Sequence, residues 1–152
     1  MSTAPPSAGK IYLVVGYDGS PPAVRALDAA VRLLRDRDGR IDVIYVAHLT
    51  PAEMMSADAI VEMEEIFDEM AQDLRAQAGE QLRGREERWR FERRQGHIAE
   101  ELVAAATKVP DAGPDDNVVI VVGSSSQAAH RMVGSVAVSL ARHAPVPLII
   151  VP

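Results

Sequence analysis

Five short runs rich in β-branched and aromatic residues alternate along this chain with four stretches whose apolar residues recur every three or four positions. Two parallel strands need a long crossover between them, usually a helix. The alternation therefore predicts an α/β domain with an all-parallel sheet and right-handed connections. The predicted strands are Ile11–Val15, Ile41–Val46, Trp89–Arg94, Val118–Val122 and Leu148–Val151. Ile11–Val15 and Val118–Val122 are nearly continuous in apolar residues, as suits strands buried on both faces. Trp89–Arg94 alternates in polarity, which suits the sheet margin.

Ser20-Pro21-Pro22 reads as an N-cap followed by proline in the first turn, where a missing amide proton costs little. The helix it opens carries Val24, Leu27, Val31 and Leu34, and Asp38-Gly39 is expected to close it. A longer helix is predicted from about Ala52 to Leu82, striped by Ile60, Met63, Phe67, Met70 and Leu74. Glu53, Asp58, Glu62, Glu64, Glu65 and Asp68 crowd its first half, the pattern of a solvated face, with the methionines as core filler. Ile98, Leu102, Val103 and Ala106 mark a third helix, and a fourth runs from about Ser135 to His143.

In a doubly wound sheet of order 3-2-1-4-5, with helices on both faces, ligands sit beyond the strands' carboxyl ends where the order reverses. That point lies between the first and fourth strands, whose following loops are Tyr17–Ser20 and Gly123–Gly134. Gly123-Ser124-Ser125-Ser126, with Gly134-Ser135-Val136 opening a helix, has the composition of a phosphate cradle. Loop amides and an unpaired helix amino end favour anions, so nucleotide binding is the first expectation.

The chain's 152 residues suffice for one domain with a genuine core. Residues 1–9 form a Ser/Ala/Pro tail, expected to be flexible, without the basic start and apolar stretch of a secretory signal; 10–152 is the domain. No apolar run approaches the roughly 20 residues of a membrane span, and a cytoplasmic location is expected. The net charge of -6 argues against nucleic acid as a partner. With no cysteine there is no thiol nucleophile, and His48, His97, His130 and His143 lack zinc-type spacing. P-loop, dinucleotide-binding and nucleophile-elbow motifs are missing from the sequence. No catalytic or metal-ligating residue is expected, and the chain is not expected to be an enzyme.

Val15–Ser20, Gly96–Leu102 and the closing run Gly134–Val151 together resemble the universal stress protein family, over nearly the whole chain after the tail. The resemblance implies a Rossmann-like, adenine nucleotide alpha hydrolase-like fold. It also implies a stress-response regulator that binds ATP or AMP, with or without Mg²⁺, between strands 1 and 4. Nucleotide-binding members carry Gly-x-x-Gly, nine residues, then Gly-Ser or Gly-Thr. Carried over, Gly123 matches the first glycine, Gly134 the third and Ser135 the hydroxyl, with Val136 following. Tyr17-Asp18 lies near the nucleoside, and the backbone around Val46 and Ala47 lines the adenine. The resemblance further implies a homodimer paired through Leu148 to Val151, an apolar edge of the kind that invites pairing, and an unnamed regulatory protein as partner.

This sequence departs from the pattern twice. Ser126 stands where the second glycine belongs, and only seven residues, Gln127 to Val133, precede Gly134. The lost pair of residues removes about 7 Å of loop reach. Ser124, Ser125 and Ser126 can compensate with hydroxyls and Arg131 by meeting a phosphate, or they form a polar turn with a solvated arginine; the sequence leaves both open. Asp18 likewise contacts the nucleoside or caps its own turn, Gly123 and Gly134 can serve tight turns, and Ser135 can cap its helix. The alternative function is a dimeric interaction module that holds no nucleotide.

Overall fold

The computed structural model describes residues 9–48, 56–124 and 134–152. Its strands are β1 (Ile11–Gly16), β2 (Gly39–Ala47), β3 (Trp89–Gln95), β4 (Asn117–Gly123) and β5 (Leu148–Val151). Helices α1 (Pro21–Leu34), α2 (Ala57–Gln81), α3 (Ile98–Thr107) and α4 (Ser135–His143) intervene. The strands form one parallel sheet in the order β3-β2-β1-β4-β5, as the alternation predicts. No described helix is long and apolar enough to cross a membrane.

Successive side chains of a strand point to opposite faces, so each central strand feeds two cores. Leu13, Val15, Val43 and Tyr45 pack under α1 and α2 with Leu27, Leu34, Leu74 and Leu82. Tyr12, Val14, Ile44, Ile120 and Val122 pack under α3 and α4 with Leu102 and Leu140. The margin strand β3 is half-buried throughout, with Trp89 and Phe91 against the first core.

Two helix boundaries correct the sequence reading. Ser56 Oγ accepts from Ala59 N (3.2 Å), so α2 starts at Ala57 and not near Ala52, a residue outside the described ones. At the end of α1 the backbone turns left-handed at Arg35 (φ 39°), whose amide donates to Val31 O. The helix therefore stops at Leu34, and Gly39 opens β2 instead of closing α1. Gly39 has φ 148°, and a Cβ there would meet Ile11 O at 1.8 Å, so its glycine serves strand pairing. Residues 1–8 of the expected tail lie outside the described residues; Lys10 N is already anchored, donating to Asp116 Oδ1 (2.8 Å).

Candidate functional site

At the carboxyl end of the sheet, where the strand order reverses between β1 and β4, a cavity of about 250 Å³ opens. Its apolar wall comes from Ile44 and Val46 of β2 and Ile98 and Leu102 of α3. These pairs follow from local geometry, since residues two apart share a strand face and residues four apart share a helix face. Gly16 ends β1 beneath them: a Cβ there would lie 3.1 Å from Leu102 Cδ1 and 3.3 Å from Val122 Cγ1. The bare backbone lets both side chains close in.

The polar wall comes from Tyr17, Asp18 and Ser20 after β1, Gly123 and Ser124 at the end of β4, and Gly134, Ser135 and Val136 at the opening of α4. Two helices begin here and differ as anion sites. In α1, Pro21 and Pro22 have no amide proton and Ala23 N already donates to Ser20 Oγ (3.4 Å). In α4 the N-cap is Gly134, which has no side chain to cap with, and Val138 N makes the first intrahelical bond. The amides of Ser135, Val136 and Ala137 thus have no partner among the described residues, and those three residues line the cavity. Donors of this kind, on the positive end of a helix dipole, suit a phosphate.

Asp18 is the one charged residue lining the cavity among the described residues. Its Oδ1 accepts from Ser20 N (3.0 Å), so the turn-capping role is realised. A carboxylate repels phosphate but accepts from hydroxyls, so what Asp18 can offer a nucleotide is a contact to the ribose. Tyr17 is buried, and its hydroxyl donates to Gln81 Oε1 (3.0 Å). Burial, followed by the charges of Asp18 and Asp28, raises its pKa above the usual phenol value and keeps it a donor.

Of the residues expected at the site, Tyr17, Asp18, Val46, Gly123, Ser124, Gly134, Ser135 and Val136 line the cavity, whereas Ser125, Ser126 and Arg131 lie outside the described residues. Ala47 does not line it: the side chain is buried in the α1/α2 core, and its carbonyl accepts from Gly96 N (3.1 Å). Ser135 is the first helical residue and not the cap. Neither glycine is there for a left-handed turn. Gly134 has φ −62° and ψ 160°, and Gly123 is bare because a Cβ would lie 2.4 Å from Pro22 O. The Ser124 amide is spent on Val151 O (2.8 Å), leaving its side chain for a ligand.

Among the lining residues that the sequence reading did not expect are Gly16, Pro22 and Ala23 around the first turn and the apolar Ile44, Ile98, Leu102, Val122 and Ala137. The period-two partner of Val46 and the face shared by Ile98 and Leu102 were the available signals. His48 and His97 stand exposed with ring centroids 6.0 Å apart, edge to face, and neither lines the cavity. Among the described residues no group of three or more His, Asp or Glu side chains is placed to hold a metal.

Residues 12–152 match the sequence profile described as "Universal stress protein family". No curated protein sequence matches the chain. Among solved structures, the universal stress protein UspA from Lactobacillus plantarum is similar at TM-score 0.71 and 20% identity, covering 96% of this chain and 100% of that one. A universal stress protein in complex with cAMP is similar at TM-score 0.64 and 22% identity, covering 96% and 99%. A universal stress protein family protein from Arabidopsis thaliana with AMP bound is similar at TM-score 0.62 and 14% identity, covering 93% and 90%. At these identities the likeness is one of fold.

Proposed function

The chain belongs to the universal stress protein family, and from that premise we propose that its cavity binds an adenine nucleotide, ATP or AMP, as the input of a regulatory protein. The observation that carries this reading is the uncapped amino end of α4 standing across one cavity from the apolar wall of Ile44, Val46, Ile98 and Leu102. The amides would hold phosphate, the apolar wall the base, and Asp18 a ribose hydroxyl. Mg²⁺ would rest chiefly on the nucleotide's own phosphates, since Asp18 is the only carboxylate lining the cavity among the described residues. Turnover is not part of this proposal, in keeping with the expectation that the chain carries no catalytic residue. It acts as a homodimer through the β5 edge, Leu148 to Val151, in the cytoplasm, and offers a surface to a regulatory protein.

Heat-denaturing the freshly purified protein and chromatographing what it releases tests the reading, together with calorimetric titration by ATP, AMP and cyclic AMP. Recovery of an adenine nucleotide, or saturable binding of one, is expected. No released nucleotide and no heat of binding would reject it. Sedimentation at micromolar concentration is expected to give the mass of a dimer, and a monomer would contradict the pairing.

Specific observations favour a second reading, an interaction module without nucleotide. Ser126 replaces a glycine of the family pattern, Gly123 is already accounted for by Pro22, and the Ser124 amide is already bonded. Under that reading the same titrations give no heat while the dimer persists.

A further inference from the structure

The first half of α2 carries an apolar stripe that is only partly covered among the described residues: Phe67 packs against the α1/α2 core under the Arg93 guanidinium and Met70 Sδ accepts from the Tyr45 hydroxyl (2.9 Å), while Ile60, Ile66 and much of Met70 stay open. A helix of 25 residues is about 37 Å long, whereas the 7 residues of β3 span about 23 Å. Only the later part is fully buried: Ala71, Leu74 and Ala78 lie buried on the sheet, and before them Phe67 is partly buried against the same core. Glu64 accepts from Gln95 Nε2 (2.6 Å), and Gln95 is the last residue of β3. The turns preceding Glu64 therefore reach past the end of that strand.

Along this half of the helix, Ile60, Met63, Phe67 and Met70 follow one another at spacings of three and four, and Ile66 lies beside Met63 and Met70. Ile60, Ile66 and Met70 are 39%, 56% and 44% exposed. The surrounding charge has one sign. From Ala57 to Leu74 there are seven carboxylates and no Lys or Arg. Arg93 pairs with Glu64 and Asp68 toward the sheet, while Glu62, Glu69 and Asp73 border the stripe without an ion pair among the described residues.

We infer that this half of α2 is a docking surface for a helical segment of another protein that bears Lys or Arg beside its own apolar strip. Charge selects this occupant over two others. A second copy meeting the same face would bring carboxylates against carboxylates. An anionic membrane surface recruits helices whose polar face is basic, the opposite of this one. A helix packed along the stripe buries Ile66 and Met70 and gives the bordering carboxylates partners. The surface is separate from the cavity, so its test does not depend on nucleotide binding.

The experiment titrates the full-length protein into a labelled synthetic amphipathic peptide of about eighteen residues, five helical turns, built from Leu and Lys. A Leu/Glu peptide of the same pattern and a Lys/Gln peptide without an apolar face are the controls. The Leu/Lys peptide is expected to bind, more weakly as salt rises, and neither control is. The double variant Ile66→Ser/Met70→Ser keeps every carboxylate but takes from Tyr45 its Met70 Sδ acceptor, so circular dichroism checks its fold and Ile66→Ser, which leaves that contact, is run beside it; the double variant should bind at least tenfold more weakly and Ile66→Ser in the same direction. Leu33→Ser, an exposed apolar residue of α1, should leave binding unchanged. Undiminished binding to the double variant would reduce the contact to bulk charge and overturn the inference. So would an absence of peptide binding, a self-association lost in the double variant, or binding to phosphatidylglycerol vesicles lost in it.

Discussion

The Tyr17 hydroxyl donates to Gln81 Oε1 at 3.0 Å, and Gln81 Nε2 donates onward to Val24 O and Asp28 Oδ1, each also at 3.0 Å. One amide of α2 thus ties the cavity's Tyr17 wall to α1. A second tie lies one turn away, where Gln77 Nε2 donates to Gly19 O (3.4 Å). Replacing Gln81 with Leu leaves a buried phenol without its acceptor, a loss of about 1–3 kcal/mol. Gln81→Leu is therefore expected to lower stability by that amount in urea denaturation. It should also weaken AMP or ATP binding in calorimetry, although Gln81 is not among the residues that line the cavity.

Gly123 supports the site by what it lacks. A Cβ there would stand 2.4 Å from Pro22 O and 2.6 Å from Pro22 Cβ, and backbone of this kind cannot swing aside. Gly123→Ala must push the first turn of α1 off β4, an overpacking cost of about 1–3 kcal/mol. Denaturation should show that loss, and nucleotide affinity should fall with it, because Pro22 and Ala23 also line the cavity.

Asp42 is the one buried charged side chain among the described residues, and it holds two cations. Arg40 Nε bonds Oδ1 at 2.7 Å; Arg90 Nε lies 2.9 Å from Oδ2 as an ion pair without hydrogen-bond alignment. Asp42→Ala takes from both guanidiniums their buried partner, leaving Arg40 with Asp111 and Pro110 O and Arg90 with Glu92. Removing one partner of a buried pair costs about 3–5 kcal/mol when the other is left uncompensated; the partners that remain and the partial exposure of both arginines bring the expectation below that range, to about 2 kcal/mol in urea denaturation.

What the sequence made legible was what depends on periodicity. The polarity alternation at Trp89–Arg94 marks the margin strand, and the buried pattern of β1 and β4 marks the centre, so the switch point and its two loops follow. Illegible was anything set by contacts between elements distant in the chain. Gly123 reads as a phosphate glycine until Pro22 is seen against it, and Ala47 reads as a lining residue until its side chain is found in the α1/α2 core. Ile98 and Leu102 look like core because periodicity cannot separate a side chain that meets another side chain from one that faces a cavity. The Ser56 cap was hidden for a local reason: the apolar and acidic pattern continues before it, and only the hydrogen bond to Ala59 N marks the start.

Glu64 links pH to the seating of α2. The hydrogen bond from Gln95, followed by that from Arg93, lowers its pKa below the ordinary glutamate value. A carboxyl with a depressed folded pKa contributes stability in full above its unfolded pKa, about 4.3, and loses it as pH falls through the folded value. Wild type and Glu64→Gln are therefore expected to differ in Tm by a constant amount between about pH 6 and 8, a gap that shrinks as pH falls from the ordinary glutamate pKa through the lowered one of Glu64. Thermal melts across that range check it, and a gap that widens in acid would contradict the contact.

Gly134 separates binding from folding. Its φ of −62° and ψ of 160° are open to any residue, so a side chain there meets no backbone strain. Valine caps a helix less well than glycine, which limits the stability loss of Gly134→Val to about 1 kcal/mol. Its two γ-methyls, however, would stand at the amino end of α4, where Ser135 and Val136, whose amides have no partner among the described residues, line the cavity. A charge-assisted hydrogen bond is worth about 1.5–3 kcal/mol, so displacing a phosphate from even one of these donors weakens binding tenfold or more. The variant is expected to melt close to wild type and to show no measurable heat with AMP or ATP. Retained affinity in a folded Gly134→Val would mean that the phosphate does not lie at the amino end of α4.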